Sequence, residues 1–235
     1  MYLSEVIFNW PCIDCEGTGV EANKMARGHE LWRHAQSRLK NDPNEFERVD
    51  CITSLKRAVN ARLKTIESEY HFHALPSLRN KKMTLEKYQD YGLIRPTLIK
   101  DLFEVRNLLE HEDVKPPKTS KCQYYVDIVW YFLKSLDSLL TLKSDVIVYE
   151  YGNSELFVRA DNEWNFSFYG DINENLISQV EKVGFIEVDD LDIKKFEDRS
   201  GLVKVTGKFM MHDKLKIKLA REYFGAVGYW YEDHA

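Results

Sequence analysis

Lys143-Ser144-Asp145-Val146-Ile147-Val148-Tyr149-Glu150-Tyr151 is where the periodicity of this chain changes. Before it, apolar residues recur every three or four positions. From Val146 onward, β-branched and aromatic residues alternate or cluster in short runs. The first pattern suits a helix that buries one stripe, and the second suits strands that bury one face of a sheet. The chain therefore reads as a helical part followed by an α+β part.

Downstream, Val146–Tyr151, Glu155–Ala160 and Trp164–Tyr169 predict three strands, with Asn153 and Asp161-Asn162 as turns of an antiparallel meander. A helix is expected over about Asn173–Val183. Strands follow near Phe185–Val188 and Leu202–Phe209, then a final helix over Asp213–Phe224. Trp164, Phe166 and Phe168 alternate on one strand, which fits a core or dimer face better than a base-stacking platform. Glu181, Glu187, Asp189, Asp190 and Asp192 read as a solvated acidic face that would repel RNA.

Upstream, residues 1–20 read as an irregular segment broken by Pro11, Gly17 and Gly19. A first helix is expected from about Glu21 to Lys40. Asp42-Pro43-Asn44-Glu45 announces the second, with Asp42 as N-cap, Pro43 at the first helical position and Glu45 as the reciprocal cap. Ile52, Leu55, Val59, Leu63, Ile66 and Tyr70 then form one apolar stripe. Pro76 interrupts, and a basic run follows at Arg79, Lys81 and Lys82. Thr84 is placed to cap a short helix that ends at Gly92. Pro96 starts another, whose buried stripe is Leu98, Leu102, Val105 and Leu109, with Ile99 and Phe103 beside it. Pro116 and Pro117 end it. Ser120 with Gln123 makes a capping box for a closing helix to about Leu142. The expected fold is a helical bundle over residues 21–143 and a smaller α+β domain with antiparallel strands over 145–235.

The composition, 44% hydrophobic with 13% aromatic residues, is enough to bury real cores. A net charge of -5 argues against an overall electrostatic grip on nucleic acid, so such a site must be a local basic patch. No run approaches the roughly 20 apolar residues of a membrane span, and the first residues lack a secretory pattern. No membrane partner is therefore expected. Of the cysteines Cys12, Cys15, Cys51 and Cys122, two stand alone in helical segments, unlike a disulfide framework. A reducing cytoplasm is the expected compartment.

The chemistry-bearing stretch is Arg106-Asn107-Leu108-Leu109-Glu110-His111. RNA transesterification uses the ribose 2′-OH as its own nucleophile, so a protein need supply only a proton shuttle and positive charge at phosphorus. His111 suits the first role and Arg106 the second. Asn107 is placed to orient the imidazole or to bind phosphate. In an ideal helix Arg106 and His111 lie about 140° apart around the axis. They converge only if the helix loosens before the prolines, or if a second subunit completes the site. The carbonyl end of a helix also attracts a cation at His111. The competing reading is a solvated helix face that carries both residues by chance.

Arg106, Asn107 and His111 resemble the Arg-x4-6-His motif of the HEPN superfamily (higher eukaryotes and prokaryotes nucleotide-binding), in which a polar residue, often Asn, follows the arginine. The motif's place before one closing helix is similar too, and Leu55-Lys56-Arg57-Ala58-Val59-Asn60 resembles the early long helix of such domains. The resemblance covers roughly residues 21–143. It implies a metal-independent endoribonuclease that needs no cofactor, works as a homodimer, leaves 2′,3′-cyclic phosphate and acts in toxin–antitoxin or antiviral defence. RNA would be the substrate, with Lys56, Arg57 and Arg62 as further RNA contacts and an antitoxin or defence protein as partner. The alternative is a non-catalytic HEPN-like scaffold that binds a nucleotide or a partner. One departure stands out: where some members carry an acidic residue four before the helical Lys/Arg, Ile52 precedes Lys56. A DNA-binding regulator ranks behind both readings, for want of a recognition helix with basic N-terminal residues.

Cys12-Ile13-Asp14-Cys15-Glu16-Gly17-Thr18-Gly19 resembles the Cys-x2-Cys-x-Gly-x-Gly knuckle of zinc-binding J-domain chaperones. Structural zinc takes four ligands, so His29, His34, Cys51 or a second subunit would have to complete a site begun by Cys12 and Cys15. The other reading is two reduced thiols in an N-terminal loop.

Overall fold

The computed structural model describes residues 1–18, 20–76, 84–112, 114–141, 143–196 and 201–228. The basic run at Arg79, Lys81 and Lys82 lies outside them. Helices dominate the N-terminal half and strands the C-terminal half, in two compact units. One unit holds Gly19–Phe72 and Ser77–Leu142. The other joins Met1–Thr18 and His73–Pro76 to the residues from Lys143 onward.

In the helical unit, α1 (Ala22–Ser37) and α5 (Thr119–Ser135) pack on the long α2 (Glu45–Tyr70). The stripe expected on α2 is its buried face: Ile52, Leu55, Val59, Leu63, Ile66 and Tyr70 are all in the core. Its start is two residues later than the sequence pattern implies. Asn41 and Asp42 both adopt left-handed backbone, whereas an N-cap needs extended backbone. Asn44 is extended and forms the reciprocal box with Glu47, with bonds of 3.1 and 2.8 Å. His71, in left-handed conformation, ends the helix. The Trp32 indole N–H donates to the Val126 carbonyl at 2.8 Å and fixes α1 to α5.

The short helix α3 (Thr84–Asp90) ends as expected at Gly92, where φ is 74° and the N–H groups of Gly92 and Leu93 close the last turn. The closing helix differs from expectation at both ends. Lys118 is its extended N-cap, and its carbonyl accepts from Lys121 and Cys122. Ser120 therefore sits inside the first turn and caps nothing. At Leu136 the chain breaks, and α6 (Asp137–Thr141) follows as a separate short helix.

That break sets Asp137 against the core. Arg62, a candidate RNA contact by sequence, is only 1% exposed, and its Nη2 lies 2.9 Å from Asp137 Oδ1. This corrects the sequence reading: a guanidinium buried to that degree cannot meet a phosphate. His29 Nε2 at 3.1 Å and Lys134 Nζ at 3.1 Å are the other partners of the Asp137 carboxylate. Gly28 allows the packing, since a Cβ there would press on Leu133 Cδ2 at 3.1 Å and approach Arg62 Nε at 3.7 Å.

The segment over residues 1–20, expected to be irregular, supplies two strands to the other unit. These are β1 (Tyr2–Ser4) and β2 (Cys12–Thr18). With β3 (Lys143–Tyr151), β4 (Ser154–Ala160), β5 (Phe166–Asn173), β6 (Ile177–Ser178), β7 (Phe185–Lys195) and β8 (Leu202–Phe209) they form an antiparallel eight-stranded sheet among the described residues. Its order is β2-β3-β4-β5-β8-β7-β1-β6. The helix expected over 173–183 is instead a single 3-10 turn followed by β6. The Asn173 side chain captures the Asn175 N–H at 3.1 Å, and Ile177 and Ser178 pair with Leu3 and Tyr2. Sequence periodicity could not see that partner, which lies at the other end of the chain.

Phe166 and Phe168 are core residues, as is Trp164, held by a left-handed backbone at the end of the Asp161 turn. The last helix, α7 (Asp213–Gly228), begins where expected. It buries Leu215, Leu219, Tyr223 and Phe224, the last two against Trp164 at 5.3 and 5.1 Å between ring centroids. The acidic residues Glu187, Asp189, Asp190 and Asp192 are exposed, as read from sequence.

Burial pushes the Asp137 carboxyl up, but hydrogen bonds from His29 and Lys134 and the charges of Arg62 and His29 outweigh it, so the net shift is downward. The group titrates lower in the folded chain than in the unfolded one. Its contribution is therefore full above the unfolded value of about 4 and is lost as pH falls through the folded value. Asp137→Ala strands a buried guanidinium and should cost about 3–5 kcal/mol in urea unfolding at pH 7. The gap from wild type should narrow as the pH drops below about 4.

Candidate functional site

Pro96 sets the start of α4 (Thr97–His111), and its carbonyl accepts from Lys100 at 2.9 Å. The face that meets α2 is rotated from the expected stripe. Ile99 and Leu102 are buried, Val105 and Leu109 are only half-buried, and Leu98 is 46% exposed. Steps of three and four from Ile99 and Leu102 lead to Arg106, so the guanidinium continues the apolar row at its edge. Arg106 is 22% exposed in consequence. α4 is an amphipathic helix whose inward stripe ends in a charge.

Side chains from α2 and α4 gather around that charge. Lys56 on α2 donates to Asn107 Oδ1 at 2.9 Å, and its ammonium lies 5.3 Å from the Phe103 ring centroid. Burial, then the nearby charge of Arg106, lowers the Lys56 pKa. The Glu110 carboxylate pairs with Arg106 one helical turn away. The same Glu110 Oε2 lies 3.8 Å from His111 Nε2, and His111 is 73% exposed as the last residue of α4. Helix geometry persists through His111, and the Glu112 N–H closes the turn on the Leu108 carbonyl at 3.0 Å. The helix therefore does not loosen before the prolines, and within one chain it is the Glu110 carboxylate that bridges Arg106 and His111.

The candidate residues thus separate. Lys56, Arg106, Asn107 and His111 share one patch on α2 and α4. Arg57 is exposed, about 100° around α2 from Lys56. Arg62 belongs to the core. Asn107 engages Lys56, which leaves its amide nitrogen as the donor toward a ligand. Glu110 is the member of this patch that sequence reasoning passed over. Its signal was there, since an arginine and a glutamate at i and i+4 face one another on any helix. Ile52, four residues before Lys56, is a buried core residue.

Cys12 and Cys15 belong to β2, where their Cα positions pair with Tyr149 and Ile147 of β3 and a bulge falls between Cys12 and Asp14. This is strand backbone where a knuckle needs a turn. Their side chains lie outside the described residues. The other suggested zinc ligands are engaged elsewhere: His29 with Asp137, His34 with Asp50 at 3.1 Å, and Cys51 in the core. Among the described residues no group of three or more His, Cys, Asp or Glu side chains could hold a metal ion. None of the described helices is long and apolar enough to cross a membrane.

Burial, with Cys122 and Asp50 nearby, pushes the Cys51 thiol up to about 12, and burial raises Cys122 as well. Thiolate is the nucleophile, so both cysteines should resist iodoacetamide at pH 8 in the native protein and react once it is unfolded in urea. Mass spectrometry of the alkylated peptides reads this directly. Comparison of the chain with protein-family models, with curated proteins and with solved structures finds no match in any of the three.

Proposed function

We propose that this chain is a metal-independent endoribonuclease of HEPN type, acting by transesterification. The observation that carries the reading is the patch of Lys56, Arg106, Asn107 and His111, which gathers cations, an amide donor and an imidazole on an acidic protein. In the proposed reaction the 2′-oxygen attacks phosphorus and the 5′-oxygen leaves, giving a 2′,3′-cyclic phosphate. His111 transfers a proton. Arg106, with Lys56 beside it, meets the charge that builds on the phosphoryl oxygens.

A single exposed imidazole does not serve both oxygens at once, which supports a homodimer that brings two His111 side chains together. Leu98 and Leu108 on α4 and Tyr124 and Tyr131 on α5 stay exposed, as an apolar contact surface would. A toxin–antitoxin or antiviral setting, with a cognate partner protein, rests on the resemblance alone. A second reading has one observation in its favour. The Arg106–Glu110 pair closes the guanidinium within α4, as it would in a non-catalytic scaffold that binds a nucleotide or a partner.

The test is cleavage of a mixed-sequence RNA with and without EDTA. Expected are undiminished cleavage in chelator, cyclic phosphate ends, and a loss of about 10²–10⁴-fold for His111→Ala, with a loss for Arg106→Ala as well. If His111→Ala cleaves at the wild-type rate, the mechanism is wrong. Sedimentation at micromolar concentration should show a dimer.

A further inference from the structure

Glu110 lies where an incoming anion would have to bind. Its carboxylate pairs with Arg106, at the inner edge of α4's buried row, and reaches to 3.8 Å from His111 Nε2. A phosphodiester engaging both Arg106 and His111 would place its oxygens in that same space. Two negative groups cannot share it without strong repulsion. Glu110 is also 44% exposed, so it can swing into solvent at little cost once displaced. Among the described residues Lys56 has no such competitor, because it donates to the neutral amide of Asn107.

We infer that Glu110 is a resident anion that holds Arg106 in check and sets the threshold for phosphodiester binding. The inference rests on the proposed RNA site, and it adds a specificity-determining residue to it. The pair has two consequences. Weak or singly charged anions fail to displace the tethered carboxylate. A polyanion held also by Lys56 does displace it, and its phosphate then takes over Arg106.

The experiment measures binding of a fluorescent 2′-O-methyl oligoribonucleotide, which carries the phosphates but lacks the attacking hydroxyl. The proteins are wild type, Glu110→Gln, Arg106→Ala and the double variant, with Glu104→Gln as a charge-matched control on the exposed side of the same helix. Glu110→Gln should bind about fivefold tighter, the scale of an exposed ion pair. The gain should vanish in the Arg106→Ala background, and Glu104→Gln should show less than about half of it. An equal gain from Glu104→Gln, a gain that persists without Arg106, or no oligonucleotide binding at low salt overturns the inference. Cleavage is scored separately on unmodified RNA. An Arg106-dependent binding gain without cleavage leaves Glu110's role standing and removes the nuclease. Cleavage that needs Arg106 and His111 but an affinity indifferent to Glu110 does the reverse.

Discussion

A fully buried guanidinium is the constraint around which the helical unit is arranged. Arg62 enters the core on the same face of α2 as Leu55, Val59 and Ile66, and only a charge placed within contact makes that tolerable. Asp137 supplies it, and the chain breaks between α5 and α6 at the point where a carboxylate can be turned inward. The absence of a side chain at Gly28 lets α1 approach the pair. Once α2 is pinned in this way, the direction of its other side chains follows. Lys56, six residues before Arg62, reaches Asn107 on α4, and α4 in turn is held by Ile99 and Leu102.

The proposed site is thus a by-product of helix packing, with no loop devoted to it. α4 buries little of its own surface and ends in a histidine beside open solvent, while its inner row ends in an arginine. That leaves a small cationic edge on a chain with a net charge of -5. A carboxylate one turn further along α4 offsets part of the charge. Such an arrangement favours ligands that make several contacts at once over isolated ions, because each exposed pair is worth little on its own.

Much of this was legible in the residues themselves. The apolar stripe of α2 needed no partner to be recognised, since its spacing alone defines one face. The switch to strands near Lys143, the limits of β8 and the start of α7 were equally local signals. The misreadings share a cause. Asp42, Ser120 and the 173–183 segment each had a plausible local pattern that a competing interaction overrode: left-handed backbone at Asp42, the Lys118 carbonyl ahead of Ser120, and pairing with Tyr2 and Leu3 for β6.

By itself the sequence determined most of the helices, the strands β3, β4, β5, β7 and β8, the switch from helices to strands near Lys143, and the presence of Arg106, Asn107 and His111 on one helix. These depend on spacings of a few residues, and the backbone's own periodicity translates them into geometry. Tertiary structure decided which cations are available: Lys56 at the site and Arg62 in the core, although both sit on α2. It also decided that residues 1–18 complete a sheet begun more than a hundred residues later. Burial and strand pairing are set by what lies across the interface, and that information is spread over the chain where no local pattern records it.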